Sequence, residues 1–177
     1  AIEDKNTCSG VALALQADVA TGNPSSFTWL GSVTPKNAQK TTFSYTTPGT
    51  YDVTVIAGDQ HCSDTKEFTV TVRPNPVVEI VGSPIKKVEY TSETVLETKI
   101  VNYTTAPFTH AWTEIANIKS GETSDKIITK PIIKTTDYQY TITDKYGCSA
   151  NASIRLVTEV IVPVIKRYTD GNEPPVT

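Results

Sequence analysis

The chain has no methionine and only two histidines, His61 and His110, among its 177 residues. Glycine is sparse (9, against 11 prolines), and no long Ala/Leu/Glu/Lys stretch is present to build helices from. Basic residues never run beyond a pair such as Lys86-Lys87, and the formal charge is −3. A nucleic-acid interface needs clustered Lys and Arg facing phosphates, so that partner is excluded. No apolar stretch approaches the ~20 residues that a membrane-spanning helix requires. The missing methionine at position 1 leads us to expect a mature or excised product whose export signal is gone.

What is present favours strands. Hydrophobic residues make up 38% of the chain, with eight Tyr, four Phe and two Trp. The two halves share one order of landmarks. The first runs Phe27-Thr28-Trp29, then Tyr51-Asp52-Val53-Thr54-Val55, then Cys62, then Phe68-Thr69-Val70-Thr71-Val72. The second runs His110-Ala111-Trp112, then Tyr138-Gln139-Tyr140-Thr141-Ile142, then Gly147-Cys148, then Ala152-Ser153-Ile154-Arg155-Leu156. Apolar residues recur at every second position, Val11 to Ala17 included, which marks strands with one buried and one solvated face. Turn residues punctuate them at Gly22-Asn23-Pro24, Pro48-Gly49, Gly58-Asp59 and Tyr146-Gly147. Short strands at this spacing, with a Trp on the third, predict an all-β fold of two tandem immunoglobulin-like β-sandwich domains. The prolines of Arg73-Pro74-Asn75-Pro76 suit a stiff linker, giving expected domains at 1–73 and 74–158 and a tail or linker at 159–177.

The segment Tyr45-x-x-Pro48-Gly49-Thr50-Tyr51-x-Val53-x-Val55 and its following Val/Thr strand resemble the end of a polycystic-kidney-disease (PKD) domain. The second half, through Asp144-x-x-Gly147-Cys148-x-Ala150-x-Ala152-Ser153-Ile154, is similar to tandem PKD-like and Ig-like repeats of Bacteroidetes cell-surface, adhesin-type proteins. The resemblance covers roughly residues 6–158. It lacks the Trp-Asp-Phe-Gly-Asp-Gly stretch of PKD domains, since Leu-Gly-Ser follows Trp29. It implies a non-catalytic spacer or adhesion unit, secreted or at the cell surface, within a larger protein. For the cysteines it implies a Cys8–Cys62 disulfide. Immunoglobulin topology puts those two places at opposite ends of one sandwich and brings the base of the first domain near the top of the second. Cys8–Cys148 is thus the rival pairing, and three free thiols the third arrangement.

No residue constellation suggests catalysis. His61 and Cys62 are sequence neighbours, which a strand points to opposite faces, and His110 reads as a strand residue on the Trp112 face. Paired Cys or His at metal-ligand spacing is missing, so neither a metal nor a cofactor is expected. Asp59, Asp64, Asp144 and the Asp170–Glu173 stretch read as solvated turn or tail carboxylates rather than a calcium loop. Tyr103 and Phe108, in the loop between the second and third strands of domain two, are the candidate ligand contacts. The partners expected are an unidentified protein or glycan at the cell surface, and the neighbouring domains of a longer chain. The alternative function is a carbohydrate- or protein-binding accessory domain of a secreted enzyme.

Overall fold

The computed structural model describes residues 4–102 and 106–160. The first sandwich contains β1 (Lys5–Cys8), β2 (Leu13–Gln16), β3 (Ser26–Leu30), β4 (Val33–Thr34), β5 (Lys40–Phe43), β6 (Gly49–Gly58) and β7 (Ser63–Arg73). Its sheets have the order β1-β7-β6-β3 and β2-β5-β4. Neighbours are antiparallel except β1, which runs parallel to β7.

The second sandwich contains β8 (Val78–Ile80), β9 (Ile85–Glu89), β10 (Val95–Ile100), β11 (Thr109–Trp112), β12 (Ile118–Ser120), β13 (Lys126–Thr129), β14 (Thr136–Thr143) and β15 (Ser149–Glu159). Its sheets are β12-β13-β10-β8 and β11-β14-β15-β9, with β9 parallel to β15. A sheet of second, fifth and fourth strands packed on a sheet of third, sixth and seventh is the immunoglobulin arrangement. The first strand is split in the second sandwich, as β8 joins one sheet and β9 the other. The chain is therefore all-β and built as tandem immunoglobulin-like sandwiches. Its described helical content is one 3-10 turn, Ile115–Asn117.

Alternation along the strands explains each core. Phe68, Val70 and Val72 of β7 are buried, as are Tyr138, Tyr140 and Ile142 of β14. Facing residues from the partner sheets complete two separate clusters. Leu15, Trp29, Phe43 and Val53 belong to the first, and Ile80, Leu96, Trp112 and Ile154 to the second. Each such side chain contributes roughly 1.5–3 kcal/mol by leaving water. Both indole N–H groups donate to backbone carbonyls, Trp29 to Ala38 at 2.7 Å and Trp112 to Ser124 at 2.9 Å, so neither polar atom is buried unpaired.

One strand face stops short of its expected start. Leu15 and Ala17 are buried, but Val11 is 52% exposed. Val11 lies before β2, in a turn where its N–H donates to the Cys8 carbonyl and its own carbonyl accepts from the Thr7 hydroxyl.

Candidate functional site

The joint between the sandwiches brings together more specialised chemistry than any other described region. Cys8 ends β1 and stands in register with Arg73 at the end of β7. Cys148 lies in the turn from β14 to β15, and the two sulfurs form a disulfide with a Cα–Cα distance of 5.4 Å. It links positions 140 residues apart and ties one sandwich to the other.

The expected Cys8–Cys62 bond is therefore not the one formed, and strand geometry gives the reason. Cys62 immediately precedes β7, whereas Cys8 sits beside its last residue. The eleven residues of β7, at about 3.3 Å each, hold the two ends some 30 Å apart. A disulfide needs its Cα atoms within about 7 Å. Cys62 is left as a free, exposed thiol.

Four further contacts reinforce the joint. The Arg73 guanidinium carbon lies 3.4 Å from the centroid of the Tyr146 ring, an arrangement in which the ring face attracts the cation. The linker residue Asn75 donates its side-chain N–H to the Ser9 carbonyl at 3.0 Å and accepts at its own carbonyl from Asn102 at 3.0 Å. Asn102 in turn accepts from the Val77 N–H at 2.6 Å. Pro76, the second proline of the linker, is buried. Arg73, Asn75, Asn102 and Tyr146 were not legible as partners in the sequence, because their pairing depends on which ends of the two repeats meet.

The turn that carries Cys148 is built by Asp144. Its Oδ1 accepts from the Tyr146 N–H at 2.9 Å and the Cys148 N–H at 3.0 Å, and its own N–H donates to the Cys148 carbonyl at 2.9 Å. Asp144 was expected to be solvated, yet it is only 6% exposed. Burial is tolerated because two backbone donors meet the carboxylate. Asp59 builds the matching turn of the first sandwich and is exposed. The His61 and Cys62 backbone N–H groups hold its carboxyl below the usual carboxylate range.

The other candidates do not converge. Tyr103 falls outside the described residues. Phe108 is half-buried and packs against the second core, so it does not stand out as a surface platform. His110 faces inward, with Nδ1 2.5 Å from the Tyr140 hydroxyl. Asp64 accepts from the Thr65 N–H at 2.9 Å, and Asp170 lies outside the described residues. Among the described residues, no three His, Cys, Asp or Glu side chains gather as a metal site would require. No described helix is long and apolar enough to cross a membrane. A cleft of about 490 Å³ lies on the first sandwich between residues 17–24 and the β6–β7 turn, with Cys62 in its lining.

No protein-family model matches the chain, and no curated protein matches it in sequence. Several solved structures of immunoglobulin-domain proteins are similar to it. The N-terminal four Ig domains of Dscam1 isoform 8.4 are 15% identical over 89% of this chain and 44% of that one, with a TM-score of 0.40. A three-Ig fragment of titin is 14% identical over 88% and 62%, with a TM-score of 0.42. The three N-terminal domains of the bacteriophage RB49 Highly Immunogenic Outer Capsid protein are 19% identical over 85% and 55%, with a TM-score of 0.41. The chain spans less than two thirds of each of these structures.

Proposed function

We propose that this chain is a non-catalytic extracellular spacer, a pair of sandwiches that holds its neighbours at a fixed separation within a larger surface or adhesion protein. In this reading the sandwiches are two folding units divided near Arg73–Pro76, akin to the PKD-like repeats that the sequence resembles. The observation that carries it is the Cys8–Cys148 bond across the joint, supported by the Arg73–Tyr146 contact and the Asn75–Asn102 bonds. A module that only needed to bind a ligand gains nothing from locking one sandwich to the next. Disulfides persist in oxidising compartments, which favours an exported protein. A glycan-binding accessory domain is the weaker reading, since no aromatic residue lines the cleft on the first sandwich for a sugar to stack on.

The test is a distance measurement. A nitroxide on the free Cys62 and a second on Lys134→Cys, an exposed loop site in the second sandwich, should give one narrow distance distribution by pulsed electron resonance. A broad distribution with the disulfide intact would overturn the spacer reading.

A further inference from the structure

The β6–β7 turn of the first sandwich and the β14–β15 turn of the second are the same device. In the first, Asp59 Oδ1 accepts from the His61 N–H at 2.8 Å and the Cys62 N–H at 2.9 Å, and the Asp59 N–H donates to the Cys62 carbonyl at 2.9 Å. In the second, Asp144 makes the same three bonds with Tyr146 and Cys148. The strand register agrees, because Gly58 pairs with Ser63 where Thr143 pairs with Ser149. Cys62 thus occupies the place of Cys148, and His61 the place of Tyr146. Gly147, at φ 85°, is the one inserted residue.

In the second sandwich this end is covered. Cys148 is bonded to Cys8, Tyr146 lies under Arg73, and Asn102, from the segment between second and third strands, bonds to Asn75. In the first sandwich the equivalent end is open among the described residues. There the corresponding segment, residues 17–24, and the turn bearing Cys62 frame the cleft of about 490 Å³. One repeat therefore displays the occupied joint, and the other displays its empty counterpart with the thiol exposed.

We propose that this open end is a socket for the base of another sandwich of the same kind, and that Cys62 bonds to a cysteine ending the first strand of that module, in the position that Cys8 holds here. The base of the second sandwich is not such a partner. The corresponding strand, β9, ends at Glu89, in register with Glu159, where β1 ends at Cys8 in register with Arg73. Cys8 itself is already bonded. The partner is thus a further module, lying ahead of the first sandwich as the first lies ahead of the second. Bond formation joins two thiols. Their two protons and two electrons pass to a disulfide oxidant, which leaves as two thiols. This inference rests on the spacer reading and extends it from a pair to a covalently jointed row.

The experiment is disulfide mapping of the native full-length protein, alkylated under acidic conditions before any reduction. The Cys62 peptide should appear only cross-linked to a cysteine peptide from outside residues 1–177, and both should become alkylatable after reduction. Recovery of Cys62 already alkylated, or joined to a second Cys62, overturns the socket. Either result with Cys8–Cys148 intact leaves the spacer reading standing, whereas a missing Cys8–Cys148 link sinks that reading itself. As a second measurement, dithiobis-nitrobenzoate should titrate one thiol per folded 177-residue chain, and none after Cys62→Ser. An unreactive thiol in the folded chain also overturns the socket, because its mouth must be open.

Discussion

At the centre of the first sandwich Trp29 stands opposite Val55, whereas in the second Trp112 stands opposite Tyr140. One step along, Val53 faces Phe68 in the first and Tyr138 faces Ile154 in the second. Bulk has moved from the last strand to the one before it, while the sum of a large and a small side chain is kept. Cores accept such exchanges because they constrain total volume and patterning more tightly than the identity of each residue. The outer ends differ as well. Tyr51 donates its hydroxyl to the Thr47 carbonyl at 2.8 Å, the tyrosine corner of immunoglobulin folds, while the equivalent place in the second sandwich holds Thr136. In exchange, the second sandwich buries the Tyr138 hydroxyl without a partner among the described residues, and that burial pushes its pKa up. Equivalent frames thus tolerate different fillings, provided each closes its own core.

The strongest way to break this comparison is to empty one core and watch the other. Trp29→Ala should destabilise the first sandwich by about 3–5 kcal/mol. The urea transition of the remaining Trp112, followed by fluorescence, should stay in place. Trp112→Ala should do the reverse, and a common shift would show that the sandwiches unfold as one.

The two turn cysteines provide the next contrast. Replacing Cys8 and Cys148 together by Ser should cost about 2–4 kcal/mol of unfolding free energy. Cys62→Ser should stay within about 0.5 kcal/mol in denaturant titrations. A smaller contrast lies in the paired aspartates. Asp144→Ala strands the Tyr146 and Cys148 N–H donors, the second of them buried, and should cost about 1–3 kcal/mol by thermal or urea unfolding. Asp59→Ala, in an exposed turn, should cost less.

The smallest effect is on acid stability. Asp4 and Asp59 in the first sandwich, and Asp137 in the second, are held below the usual carboxylate range. The causes are the Thr69 N–H, the His61 and Cys62 N–H groups, and the Arg155 guanidinium, respectively. A depressed folded pKa gives stability that is complete above the unfolded value of 3.8 and is lost as the pH falls through the folded value. Both sandwiches should therefore hold constant stability from pH 7 to about 5 and weaken below about 4, the first by more. Equal acid loss in single-tryptophan variants would remove that distinction.

Fold class was legible because alternation is a local signal. The runs at Phe68–Val72 and Tyr138–Ile142 state which face is buried without reference to anything distant. Pairing between repeats was not legible. Tyr51 and Tyr138 look like counterparts in the sequence, yet strand register makes Tyr138 the equivalent of Val53. For the disulfide, the family resemblance points to Cys8–Cys62, whereas the strand order of an immunoglobulin sandwich points to Cys8–Cys148, the pair that forms. One signal did exist. Asp precedes Cys by three residues at Asp59–Cys62 and by four at Asp144–Cys148, and the repeated Asp–Cys turn marks the two cysteines as equivalents. Phe108 looked available only because a loop position says nothing about the core beneath it.

The Cys8–Cys148 bond also decides how the chain would respond to mechanical tension. A pull transmitted along the backbone would enter at Cys8, cross the sulfur bridge and leave at Cys148, bypassing the 140-residue span between them. Stretched out, that span would release roughly 480 Å of slack at about 3.4 Å per residue, and the closed bridge keeps it in reserve. With the bridge closed, β1, the sulfur bridge and β15 form one continuous covalent path for the load, and neither sandwich has to open to carry it. Reduction of one bond would convert a short stiff link into a long extensible one.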